Sequence, residues 1–242
     1  MNFQDTQLIG VLARAESTVS SLSSLLGGLV EKFAARGYSL YLVGGSVRDA
    51  LLGRLGNDLD FTTPARPEVV KEILDEWAET VWDTGIDFGT VSAAYKGQQI
   101  EITTFRSDSY DGQSRNPEVV YGDTLEGDLV RRDFKANAMA IELLADASFK
   151  FHDPLHGLQD IADRVLDTPD KPEISFHDDP LRMLRAARFA SQLEFRVADR
   201  VVEAMRDMAG EIQRITVERV QVELDKLICG TAPWDGIDLL VS

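Results

Sequence analysis

Apolar residues recur three and four apart through "STVSSLSSLLGGLVEKFAARG", which predicts a helix over about 17–36 with Gly37 as its stop. The apolar run "YSLYLVGG" then reads as a strand ending in a glycine turn, and "SVRDALLGR" as a short helix. "GNDLDFTT" alternates as a strand with two different faces. "RPEVVKEILDEWAETV" opens with Pro67 in a first helical turn. "GTVSAAYKGQQIEITTFR" consists of two β-rich runs around Lys96-Gly97, the pattern of a hairpin. A polar loop, "SDSYDGQSRNPEVVYGD", is long enough to suggest a functional segment. Beyond "DLVRRDFKANAMAIEL" the period becomes helical in "DDPLRMLRAARFASQLEF", "VADRVVEAMRDMA" and "ITVERVQVELDKLICG". The pattern predicts a head of helices and strands over residues 1–148 and a helical neck over 149–242, an α+β arrangement. Trp77 and Trp82 read as packing residues. The last run, "GIDLLVS", carries no cap or polar tail and reads as a chain cut between elements.

Composition narrows the class. With 242 residues, 44% of them apolar, the chain can bury one large core or two small ones. One cysteine, Cys229, excludes an internal disulfide framework and fits a reducing compartment. No apolar run reaches the roughly 18 residues that span a bilayer, and the N-terminus lacks the basic region of a signal peptide. A cytoplasmic protein is the expectation. The net charge of −16 argues against a general nucleic-acid coat, so an anion must be met by local arginines or by metal ions.

The candidate chemistry starts at "LVGGSVRDALLGRLGNDLDFTT". On a strand, Asp58 and Asp60 stand on one face with Leu59 turned into the core. Carboxylates ~6.7 Å apart repel by roughly 2.5 kcal/mol at an effective dielectric of 20. A pair of divalent cations would remove that cost, as in two-metal phosphoryl transfer. The alternative is a turn in which Asp58 caps the strand and Asp60 meets an arginine. Gly44 and Gly45 let the backbone turn closely into a helix whose free N–H groups suit a phosphate. Arg48, placed early in that helix, opposes the helix dipole unless an anion is near; an ion pair with Asp49 is the alternative. In "HDDPLRMLRAARF", Arg182, Arg185 and Arg188 form a stripe that asks for anions, some supplied by Asp178 and Asp179. Glu101, in "QQIEITTFR", is a candidate third acidic residue; an exposed strand glutamate is the alternative. His152 and His156, with Pro154 between them, read as loop residues and not as metal ligands.

The stretch from Leu42 to Thr63 closely resembles the signature of class II tRNA nucleotidyltransferases (CCA-adding enzymes) and bacterial poly(A) polymerases, members of the polymerase-β-like superfamily. "LVRRDFKANAMA", "DDPLRMLRAARFASQL" and "ITVERVQVEL" are similar, in the same order, to later motifs of that family. The resemblance implies that Asp58 and Asp60 hold two Mg²⁺ ions, with Glu101 near them. It implies phosphate contacts from Gly44, Gly45, Arg48 and Arg132, and a ribose contact from Asp133. Asp179 and Arg182 would select the base by hydrogen bonds in place of a nucleic-acid template, with Arg185 and Arg188 facing phosphates or the tRNA end.

An Asp/Arg pair suits cytosine and adenine, which both offer an amine beside an acceptor, and disfavours guanine and uracil. The implied activity is addition of C and A from CTP and ATP to the 3′ end of tRNA, with no membrane or protein partner. The loop at "YDGQSRNP" resembles a segment that assists the change from C to A addition, in which Asp111 and Arg115 would act. Glu218, Arg219 and Glu223 resemble a final motif that braces the base-selecting helix. Lys135-Ala136 departs from the family's usual small β-branched pair. Poly(A) polymerase, a CC-only or A-only enzyme, and a non-catalytic nucleotide- or RNA-binding module remain the alternatives. The stretch after "FTT" lacks the basic, glycine-rich segment expected of poly(A) polymerases, and tRNA binding by this chain is expected to be weak.

Overall fold

The computed structural model describes residues 3–107 and 120–241. It divides into two compact units, Met1–Arg131 with Asn137–Leu155, and Arg132–Ala136 with His156–Ser242.

The first unit opens with helix α1 (Phe3–Ala35), longer at its N-terminus than the periodicity predicted. It ends where Gly37 takes φ +78° and the N–H groups of Gly37 and Tyr38 return to the carbonyls of Ala34 and Phe33. There follow β1 (Leu40–Val43), α2 (Gly44–Leu51), β2 (Asp58–Thr63), α3 (Pro67–Asp75), β3 (Thr80–Trp82), β4 (Thr90–Tyr95) and β5 (Gln98–Thr104). The short pair β6 (Arg106–Ser107) and β7 (Val120–Tyr121) precedes α4 (Leu125–Val130), β8 (Ala140–Leu143) and β9 (Phe149–His152).

The main sheet has the order β3-β4-β5-β2-β1-β8-β9 and is mixed: β2 and β5 run parallel, the other neighbours antiparallel. The β4–β5 hairpin turns on Lys96 (φ +47°) and Gly97 (φ +77°), two consecutive positive φ angles that match the strand twist. Leu40, Leu42, Leu59, Phe61, Val91, Ala93, Ile100 and Ile102 are all buried, and so are Leu26, Leu29, Val47, Leu51, Val70 and Ile73 from α1, α2 and α3. A second cluster joins Val43, Phe105 and Ala140 to Leu125 and Leu129 of α4. Trp77 stacks on Tyr95, but Trp82 on the edge strand β3 is 44% exposed, so it is not a core residue.

The second unit contains α5 (Gly157–Asp163), β10 (Val165–Leu166), α6 (Pro172–Asp178), α7 (Leu181–Leu193), β11 (Arg196–Val197), α8 (Asp199–Asp207), α9 (Val217–Ile228) and α10 (Pro233–Val241). It is helical except for a two-residue parallel pairing of β10 with β11. Helices α9 and α10 pack on α7 at glycine contacts: a Cβ at Gly236 would lie 2.6 Å from the Ala187 carbonyl, and one at Gly230 would strike Ser191 Oγ.

Two boundaries differ from the division at residue 148. Strand β9 completes the main sheet, because Phe149 to His152 pair with β8. The segment Arg132–Ala136 belongs to the helical unit, where Phe134 packs edge-on against Phe189 and Lys135 bonds to Asp167. These are long-range pairings that local periodicity does not encode.

Candidate active site

Strand β2 alternates exposed Asp58, buried Leu59, exposed Asp60 and buried Phe61, so the two carboxylates share a face. The parallel register with β5 sets Glu101 directly beside Asp60 and Gln99 beside Asp58. Asp58, Asp60, Gln99 and Glu101 line one cleft. Glu101 is exposed and lies within 3.4 Å of Ser92 Oγ. Among the described residues no three His, Cys, Asp or Glu side chains converge as a metal-binding group. Two hard carboxylates nevertheless fit magnesium, which keeps water and substrate phosphates in its remaining positions. His152 ends β9 as a strand residue, not a loop residue, with Nε2 3.4 Å from Glu142.

Helix α2 opens on a glycine turn: its first residue, Gly44, has φ +66°, and Val43 supplies no side-chain cap. Ser46, only 4% exposed, accepts the Asp60 N–H at 2.9 Å and lies 3.4 Å from the Asp58 carbonyl. It thereby pins the acidic segment of β2 to α2. Sequence reasoning missed this serine, since its partners are 12 and 14 residues away.

Arg48 is held by protein partners. It is 7% exposed, and its guanidinium meets both oxygens of Asp49 (3.0 and 2.9 Å) and Asn137 Oδ1 (2.7 Å). In an eight-residue helix Arg48 also falls in the last turn, where the dipole favours a cation. The ion pair with Asp49, the alternative for this arginine, is present in the fold. Asn137 was likewise missed, because its role appears only when the chain returns 89 residues later.

In the helical unit, Asp133 is 7% exposed; one oxygen accepts the Phe134 N–H at 2.9 Å and the other accepts Arg185 Nε at 2.8 Å. Burial alone would lower the Arg185 pKa, but Asp133, Glu223 and Asp179 hold it above its ordinary value. Arg188, also 7% exposed, lies 3.1 Å from Glu223 and stacks over Phe189. The anions that the arginine stripe requires are thus supplied at Arg185 and Arg188 by the protein itself. Arg132, partly buried, precedes Asp133 in the same segment.

Asp179 divides its carboxylate between two donors: Oδ1 accepts the Leu181 N–H at 3.1 Å and Oδ2 accepts Arg219 at 3.0 Å. Arg182 donates to Ser175 Oγ at 2.9 Å. On α9, Arg219 therefore holds Asp179, just before α7, and Glu223 meets Arg188 within the stripe. Lys135, the departure from the family pattern, is matched by Asp167 at 2.7 Å. Burial pushes the Asp167 carboxyl up, but Arg200 and Lys135 hold it below its usual range. Asp111 and Arg115 lie outside the described residues.

A mixed sheet bearing paired strand carboxylates beside a glycine turn is followed in sequence by a helical unit. Residues 40–167 match the model of the poly A polymerase head domain, and the chain belongs to that family. Residues 194–242 match a second model, described as the probable RNA and SrmB-binding site of polymerase A.

The chain is 41% identical to a CCA-adding enzyme of Listeria innocua, over 88% of this chain and 53% of that protein. It is 38% identical to one of Enterococcus faecalis, over 86% of this chain and 50% of that protein. Among solved structures, a Bacillus stearothermophilus CCA-adding enzyme in complex with CTP superposes with TM-score 0.78 at 36% identity, covering 90% of this chain and 51% of that one. A Thermotoga maritima CCA-adding enzyme complexed with tRNA gives 0.74 at 28% identity, over 93% of this chain and 53% of that one. The chain spans about half the length of the curated relatives it matches.

Proposed function

We propose that the chain carries the catalytic head and base-selecting part of a CCA-adding tRNA nucleotidyltransferase, which transfers C and A from CTP and ATP to a tRNA 3′ end. The observation that carries this reading is the set of Asp58 and Asp60 on one strand face with Glu101 in register beside Asp60. Likeness to CCA-adding enzymes with bound CTP or tRNA supports it.

Asp58 and Asp60 would hold Mg²⁺, with Glu101 beside them; when bound, the metal supplies charge neutralisation to the triphosphate and lowers the pKa of the attacking 3′-hydroxyl. Gly44 and Gly45 bring backbone N–H groups to the phosphates, while Ser46 keeps β2 in position. Arg48 supports that turn from beneath through Asp49 and Asn137. Arg132 and Asp133 meet the phosphate and sugar. Asp179 accepts from the exocyclic amine of cytosine or adenine and Arg182 donates to the adjoining ring acceptor, so that GTP and UTP are refused.

Among the described residues no helix is long and apolar enough to cross a membrane, which suits work in the cytoplasm. The test is incorporation from each NTP onto tRNAs ending before, within and after the CCA sequence, with the products sequenced. C then A addition confirms the reading; runs of A point to poly(A) polymerase, and addition that stops at CC or starts only after it points to a partial enzyme.

A further inference from the structure

The members of the base-selecting pair are three residues apart, yet both are tied to one residue that no motif includes. Ser175, on α6 and 5% exposed, accepts Arg182 Nη1 on its hydroxyl oxygen at 2.9 Å and on its carbonyl at 3.4 Å. The same carbonyl accepts the Asp179 N–H at 3.2 Å. Ser175 therefore sets where the backbone of one selector and the guanidinium of the other stand.

The chemistry of the contact matters as well. Arg185 and Arg188 on the same helix meet the carboxylates of Asp133 and Glu223. Against Arg182 the structure places a hydroxyl, which orients the guanidinium by accepting one of its N–H groups.

We propose that Ser175 is a positioning residue for base discrimination, holding the Arg182 guanidinium in the orientation that meets a ring acceptor and collides with a ring donor. This rests on the base-selecting reading of Asp179 and Arg182. Cytosine presents an acceptor at the ring nitrogen where uracil presents an N–H. A fixed guanidinium rewards the first and penalises the second; a swinging one does neither well, since the unpaired donor can turn aside.

Titration of the 242-residue chain with CTP and with UTP in magnesium, by calorimetry, gives the ratio of the two affinities. Ser175→Ala keeps the carbonyl and a good helix former and removes only the hydroxyl. It is expected to lower the CTP-over-UTP ratio about tenfold with the melting temperature unchanged. Ser175→Thr, which restores the hydroxyl, is expected to recover the preference.

If Ser175→Ala does not fold, Ser175→Cys fills the same volume with a weak acceptor and carries the same expectation. An unchanged ratio, or equal weakening of both nucleotides, overturns the proposal. Arg182→Ala separates the two levels. If it abolishes the preference while Ser175→Ala retains it, only the positioning role fails. If the unaltered chain binds CTP and UTP alike, base selection fails and the role of Ser175 falls with it.

Discussion

Arg185 directs both Nε and Nη2 at a single oxygen of Asp133, while the other oxygen of that carboxylate accepts the neighbouring Phe134 N–H. A residue from the segment Arg132–Ala136 is thereby tied to α7, the helix that carries Arg182. The proposed sugar contact and the proposed base-selecting arginine are thus joined within the helical unit.

Arg185→Met leaves Asp133 buried without its counter-charge and is expected to destabilise by about 3 kcal/mol, read from the midpoint of urea unfolding. Adding Asp133→Asn to that variant should recover most of the loss. A single variant as stable as the parent would show that the pair contributes nothing.

Asp58→Ala is expected to remove incorporation of CTP, by about 10³-fold or more, and to leave unfolding within about 0.5 kcal/mol, because the side chain is exposed. Incorporation rates on a tRNA lacking its 3′ end, measured beside urea unfolding, check both halves. Activity that survives the change would remove the two carboxylates from the chemistry.

Ser46→Ala removes the bond that accepts the Asp60 N–H. Stability should fall by about 1–2 kcal/mol, and incorporation should fall more than nucleotide affinity does, since the segment carrying Asp58 and Asp60 is loosened and the segment carrying Asp179 and Arg182 is not. Separate measurement of CTP affinity and turnover distinguishes this from a general weakening.

Acid stability should depend on Asp167. Its folded-state pKa is held below the ordinary carboxyl value, so its contribution is present above about pH 4 and lost as pH falls through the lowered folded value. Asp167→Asn is expected to lower stability at pH 7 and to flatten the decline between about pH 5 and pH 2, followed by urea unfolding at each pH. Arg185, with its pKa raised, stays charged across that window and adds no slope.

Two glycine changes should have opposite signs. Gly27→Ala, in α1, meets nothing within 4 Å and should stabilise by about 0.5–1 kcal/mol. Gly236→Ala puts a methyl 2.6 Å from the Ala187 carbonyl and should destabilise by about 1–3 kcal/mol through separation of α10 from α7. Thermal unfolding of the two variants gives both signs.

The sequence by itself determined the elements and their faces. Alternation in "DLDF" places Asp58 and Asp60 together because the side-chain period of a strand is two, and Lys96-Gly97 turns the hairpin because its φ angles suit that pair. The period of α7 likewise aligns its three arginines.

Tertiary structure alone decided what each charge meets. Arg48 finds Asn137 across 89 residues and Asp133 finds Arg185 across 52, so these two arginines gain protein partners that spacing does not reveal. Ser46 and Ser175 gain their roles in the same way, through packing that brings distant backbone or side-chain atoms within hydrogen-bonding reach. Periodicity acts over a few residues and sets direction. Pairing and burial depend on which elements the folded chain brings together, and spacing along the chain does not carry that information.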